Sequence, residues 1–359
     1  EETLRQRLDH LGTRGQAILH EESAALVARH VRKPSCCYGD WVPLDIDVSP
    51  FDNSGTKKEG VSWTYKGMDG YAPDFAYLGV EGYLVHCELR PGSQHCQEGT
   101  PEFLDQALRY AEQITSQKIL VRMDAGNDDF ENVRVCRRHK ADWIIKRNLR
   151  QESLEEWLEE AQAYGDWEFP REGKEVYTGQ TWRERDGKEY RVVFEVTYRT
   201  IDAKGQRLLV PEIDVSTWWT SLKLPAKEVI ALYHAHGTSE QYHSEVKTDL
   251  DLERLPSGKF ATNALVLSLG MVAYNILRLI GQQALKEQKR LPAAQRAPLP
   301  EGIVRRRLRS VIQDLIYLAA KLWRHSHRWG LALWQNSPWR GVWQRVYQRF
   351  CGKAVWRSG

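Results

Sequence analysis

The chain has 359 residues, 42% apolar and 28% charged, which excludes a disordered polypeptide and allows one large domain or two modest ones. Its formal charge of +3 conceals an asymmetry: from Gln282 to Gly359 there are sixteen Lys or Arg and three Asp or Glu, a net of +13, so the rest carries −10. A basic tail beside an acidic body suits one part that holds a polyanion and another that offers carboxylates to something cationic. The six cysteines form no C-x-x-C pair, which excludes a zinc ribbon or thioredoxin-type motif and suits a reducing cytoplasm. His86-Cys87 and His95-Cys96 lack the usual metal-ligand spacing. No signal peptide opens the chain, and no methionine either, so a processed or truncated start is the expectation.

In chain order, residues 1–33 read as two helical segments broken at Gly12 and Gly15. "DWVPLDIDVS" alternates as a strand, "FDNSGTKKEG" is a loop and "VSWTYKG" a short strand. "DFAYLGVEGYLVHCELR" is a hairpin turning at Gly79–Gly82. Thr100 caps a helix with Pro101 in its first turn. "KILVRMD" is a buried strand ending at Asp124, followed by helix 128–140, strand 141–149 and an acidic helix, "ESLEEWLEEAQAYG". From Asp166 to Leu222 the pattern is β-rich, with turns at Asp186-Gly187 and Lys204-Gly205. After Lys223 the chain is predicted helical to its end, with a Pro-rich break at 291–302. The apolar run 261–281, interrupted by Asn263, Asn275, Arg278 and two glycines, reads as a buried core helix. The implied units are a helical segment 1–40, an α/β core in two parts, 41–165 and 223–285, a β insertion 166–222 between them, and a basic helical region 286–359.

Three acidic positions stand out. Asp45 and Asp47 are two apart on the first strand and share a face. Asp124 ends a buried strand, where sites collect in open α/β sheets. Glu240 shares a helical stripe with Tyr233, His236 and Lys247 at i, i+3, i+7 and i+14. Glu245 lies off that stripe, and His234 and His243 are assigned away from it too. Carboxylates brought together repel and need a cation, and an all-oxygen donor set favours Mg²⁺ or Mn²⁺. Two such ions can serve an in-line phosphoryl displacement.

Tyr233, His236, Glu240 and Lys247 reproduce the spacing Y-x2-R-x3-E-x6-K, with His in the Arg position. Together with "LDIDVS", "VRMDAG", "NSGTKKEGVSWTYKGMDGYAPDFAYLG" and "ELRPGSQHCQEGTPEFL", they resemble the bacterial insertion-sequence DDE transposases. The likeness runs from about residue 40 to 320, within the insertion-sequence-four superfamily and its thirteen-eighty branch. The resemblance implies a ribonuclease-H-like (retroviral-integrase-like) core interrupted by the β-rich insertion, with helical terminal segments. It implies a catalytic and metal-binding triad of Asp47, Asp124 and Glu240. Asp47 is preferred to Asp45 because Asp47-Val48-Ser49 matches the family's Asp-x-Ser/Thr pattern.

The implied activity is cut-and-paste transposition: two Mg²⁺ or Mn²⁺ ions, strand cleavage, a hairpin intermediate and strand transfer. The implied partners are terminal inverted repeats and target DNA, bound by a homodimer in a bacterial cytoplasm, on the nucleoid. Phosphate contacts are expected from Tyr233, His236 and Lys247. His236 carries charge only when protonated, unlike an arginine. Gly237 costs the helix about 1 kcal/mol against Ala, so loosening is expected there. Further contacts are assigned to Lys57 and Lys58 on the loop after the first acid, and to Arg305, Arg306 and Arg307 of the tail, set among Trp323, Trp329 and Trp334. An extruded base would stack on Trp218 or Trp219, with Trp182 a further candidate. The competing reading is a transposase-derived DNA-binding protein without activity. A carboxylate-pair glycosidase leaves Tyr233, His236, Lys247 and the basic tail unexplained.

Overall fold

Apolar runs bounded by turn residues become strands covered by helices on both faces. The computed structural model describes residues 2–300, 302–333 and 337–352. Its elements are α1 (Glu2–His30), β1 (Trp41–Val48), β2 (Phe51–Asp52), β3 (Ser62–Trp63), β4 (Asp69–Tyr71), β5 (Asp74–Leu78), β6 (Tyr83–Glu88), α2 (Thr100–Ile114), β7 (Lys118–Met123), α3 (Phe130–Arg138), β8 (Asp142–Lys146) and α4 (Leu154–Tyr164). There follow β9 (Asp166–Arg171), β10 (Lys174–Arg185), β11 (Lys188–Ile201), β12 (Arg207–Thr220), α5 (Ala226–His234), α6 (Ser239–Ser244), α7 (Phe260–Arg290), α8 (Leu308–Val311), β13 (Ala320–His325), β14 (Arg328–Leu333) and α9 (Arg340–Cys351).

Nine strands form one mixed sheet in the order β6-β5-β1-β7-β8-β12-β11-β10-β9. β1, β7 and β8 run parallel, while β5 and β12 flank them antiparallel. The β-rich block therefore extends the sheet through β8 rather than folding apart from it. Val42, Leu44 and Ile46 of β1 enter a core shared with α1, α2, α3 and α4. On the opposite face, α5 packs over Leu120, Ile144, Val193 and Trp218, and α6 and α7 pack over Phe75 and Tyr77. Asp45 and Asp47 belong to that second face by pleat alternation.

Several local expectations change. Gly12 leaves helical geometry at φ 38° and ψ −133°, so α1 is two helices joined across a kink there, as expected, whereas Gly15 does not break it. The α2 cap is Gly99, left-handed at φ 76°. Thr100 is already helical, and its hydroxyl turns back to the Cys96 carbonyl. The region after Lys223 is not helical throughout, because β13 and β14 pair as a separate hairpin. Trp334 lies outside the described residues. Phe260–Arg290 is long and apolar enough to cross a membrane, but its Leu265, Met271, Tyr274 and Leu279 are buried in the fold's own core, which fits the core-helix expectation.

Candidate active site

The parallel register sets Ile46 beside Met123, so the next residues of each chain, Asp47 and Asp124, emerge near each other at the carboxyl ends of β1 and β7. Asp124 carries the electrostatic mark of this. Burial, and then the charge of Asp47, push its carboxyl above the usual range, against the opposing influence of His236 and a 2.8 Å bond from Asn127 Nδ2. Asp47 shifts the other way. Burial alone would raise it, but His243 Nε2 lies 3.0 Å from Oδ2, Ser239 Oγ donates at 3.3 Å and His236 adds charge, so it is held low.

Asp45 is a different kind of acid. It is 2% exposed, and Arg122 grips it with two parallel bonds, Nε to Oδ1 at 2.6 Å and Nη2 to Oδ2 at 2.8 Å. His236 Nδ1 adds a contact at 3.1 Å. Burial works against its charge, yet Arg122 and His236 hold its pKa low. His236 is raised in return: burial opposes its charge, and Asp45 outweighs burial. The same Arg122 donates to the Leu232 carbonyl at 2.6 Å, tying α5 to β1. With both oxygens occupied, Asp45 is an anchor, and Asp47 is the acid of β1 left near Asp124.

The stretch that carries the stripe is not one uniform helix. After α5 comes a 3-10 turn at Ala235–Thr238, around Gly237 as its helix cost foretold, then α6, then a π turn at Glu245–Asp249. Tyr233 is raised by burial, and the charges of Asp124 and Asp47 add to that. Lys247 donates to the Pro50 carbonyl at 2.7 Å; burial lowers its pKa, while Asp47 acts the other way. Glu240 is exposed. In sequence it lies between the buried His236 and His243, but its own side chain faces outward. Among the described residues, no group of three or more His, Cys, Asp or Glu side chains is gathered closely enough to hold a metal ion.

One histidine assignment reverses. His243 is buried and binds Asp47, so it belongs to the site. The seven-residue step from His236 already put it on the stripe. Glu245, the rival third acid, is 1% exposed and held by Arg278 and Arg305. Sequence reasoning also missed Asp74, fully buried on β5 across from Val48. Burial pushes its carboxyl up to about 7; Arg90 opposes this and Asp47 adds to it. Tyr65, whose hydroxyl donates to the Val48 carbonyl at 3.2 Å, lies within reach of the charges of Asp47 and Asp124. Neither carried a spacing signal.

Several expected DNA contacts are engaged within the protein. Trp218 and Trp219 are 1% and 2% exposed, and the Trp219 indole donates to Asp128 Oδ1 at 2.8 Å. Neither can present a ring to a base, because both pack between sheet and helices. Trp182 is 56% exposed. Lys57 is exposed, whereas Lys58 donates to Asn53 Oδ1 at 2.9 Å and to the Leu255 carbonyl. Arg305 meets Glu245 and Gln241, Arg306 meets Asp314, and Arg307 meets Asp249 at 2.9 Å. These three arginines neutralise internal acids. An apolar cavity of about 470 Å³, lined by residues that include Leu26, Ile276, Trp343 and Phe350, contains none of the acids described above.

The family described as Transposase DDE domain, group 1, matches residues 7–352 of this sequence. The chain belongs to that family. No curated protein matches it. Among solved structures, this DDE-domain chain is similar to a piggyBac transposase, solved by cryo-electron microscopy as a synaptic complex with hairpin DNA, at 8% identity and a TM-score of 0.39. The similarity covers 67% of this chain and 47% of that one, so the chain spans about half the length of the neighbour.

Proposed function

We propose that the chain is a divalent-metal-dependent DNA transposase of the insertion-sequence type, with a ribonuclease-H-like core and with Asp47, Asp124 and Glu240 as its acids. The observation that carries this is the pairing of Asp47 with Asp124 at adjacent parallel strand ends, where one carboxyl raises the pKa of the other. Two half-buried acids in such repulsion fit a divalent cation, and their all-oxygen donors suit Mg²⁺ or Mn²⁺. The sheet order β6-β5-β1-β7-β8, with only the second strand opposed to the parallel trio and its own neighbour, supports the core assignment. Asp47 and Asp124 would hold the metal, with Glu240 completing the set from α6. Bound there, it would acidify an attacking water or hydroxyl and neutralise charge gathering on the phosphate.

The chain's own groups do the rest. His243, His236 and Ser239 keep Asp47 ionised and oriented. Tyr233 offers a phenolic donor beside both acids, and Lys247 a cation behind them. Arg122 fixes the distance between helix and sheet by holding Asp45 and the Leu232 carbonyl together. Strand cleavage through a hairpin, followed by transfer by a dimer on paired ends, is the reaction course this reading assigns. The alternative, DNA binding without cleavage, is favoured by one observation: Asp47 Oδ2 already has His243 and Ser239 as partners. Incubating the protein with a terminal-repeat duplex and Mg²⁺ decides between them. Nicking lost in Asp124→Asn supports the enzyme; binding without nicking supports the alternative.

A further inference from the structure

We propose that the ribbon formed by β13 and β14 is a duplex-DNA reader that enters the major groove. The inference rests on the transposase reading and names the element that grips the substrate. From Leu315 to Gly359 the sequence has eight Lys or Arg and no Asp or Glu. This sets the stretch apart from Arg305–Arg307, whose charges are spent on Glu245, Asp314 and Asp249. Arg345 lies 3.7 Å from Glu287, whereas Lys321, Arg324 and Arg328 stand on the exposed ribbon, where positive charge suits a polyanion outside the protein.

The ribbon's shape agrees. Six paired residues per strand span about 20 Å, and a two-stranded ribbon is one of the forms a major groove admits. The register Lys321–Ala332, Trp323–Gly330 and His325–Arg328 puts one set of residues on one face. Arg324–Trp329 and Leu322–Leu331 fall on the other. Every residue of β13 is exposed, including Trp323 at 47%, and Trp329 on β14 is 63% exposed. The Trp323 indole lies across Gly330, where a Cβ would meet the ring at 2.2 Å. The Arg324 guanidinium sits 5.2 Å from the centre of the Trp329 ring, stiffened by that contact.

The tip argues in the same direction. Ser326 and His327 adopt φ of 46° and 62°, the left-handed pair that a two-residue hairpin demands and that Asn-Gly normally supplies. Ser-His is a costly choice for a turn, and it brings His325, His327 and Arg328 together at the end of the ribbon. A two-stranded hairpin is marginal on its own in water, so a groove that orders it supplies what the fold leaves out.

The test uses the full chain, a fluorescein-labelled duplex, and anisotropy without divalent metal between about 50 and 200 mM salt. The variant Lys321→Ala/Arg324→Ala/Arg328→Ala should bind at least about tenfold more weakly, with the salt slope reduced by about 2–3. Arg324→Lys/Arg328→Lys should keep the slope, and circular dichroism should show both variants folded. Wild-type affinity and slope in the triple variant would overturn the ribbon while leaving the transposase reading intact. So would unchanged DNA binding with loss of binding to anionic phospholipid vesicles. Failure of the wild-type chain to bind any duplex would overturn both.

Discussion

Replacing Arg122 with methionine should destabilise the fold by about 3–5 kcal/mol, because it strands a buried carboxylate. Asp45 and Arg122 are 2% and 3% exposed, so water cannot take over the solvation that two short bonds now provide. The Leu232 carbonyl loses its donor in the same step. His236, still 3.1 Å from Asp45, keeps the loss toward the lower end of that range. Urea unfolding followed by fluorescence and by circular dichroism gives the free energy, and coincident curves justify a two-state treatment. Arg122→Met/Asp45→Asn removes the stranded charge and should recover most of the loss. A single variant that loses less than about 1 kcal/mol, or a double variant as unstable as the single, would refute the claim that this pair anchors the helix to the sheet.

The remaining expectations are narrower. Asp47→Asn and Asp124→Asn should each reduce Mg²⁺-dependent strand cleavage to background while leaving duplex affinity and folding in place. Folding favours the protonated form of Asp74, at about 7 against an unfolded value near 3.8, so its contribution falls as pH rises from about 4 to 7. Asp74→Asn should flatten stability over that window, by at most about 4 kcal/mol, in urea titrations at successive pH values. Trp218→Ala should cost about 3–5 kcal/mol and the exposed Trp182→Ala within about 0.5; thermal melts that rank them equally would contradict the packing described.

The order of strands and helices up to Lys223 was legible because short apolar runs and turn glycines mark it directly. The nearness of Asp47 and Asp124 was legible because both lie at readable strand ends, which the parallel register of β1 and β7 brings side by side. The role of Arg122 was hidden, since nothing in "KILVRMD" tells that its arginine turns inward to Asp45. His243 was missed because its angle was counted from Tyr233, whereas the seven-residue step from His236 returns it to the same face. Arg305–Arg307 look like a nucleic-acid motif in one dimension. Their acids, Glu245, Asp249 and Asp314, are their counterparts only in three. The β13–β14 hairpin was hidden by a composition, "AAKLWRH", that suits a helix equally well.

Glu245 lies in the π turn just beyond α6, and its two oxygens are shared between Arg278 of the long core helix and Arg305 of the segment that leads to the tail. The carboxyl-terminal part of the polypeptide is thus a strut for the face that carries α6 as well as an appendage. Cutting the chain before Arg305 would leave an acid in the interior with one counter-charge where it now has two, and would free Asp249 from Arg307 at the same stroke. Shortened forms of this protein should lose the alignment of Tyr233, His236 and Glu240 along with their grip on a substrate, so a deletion there reports on both at once.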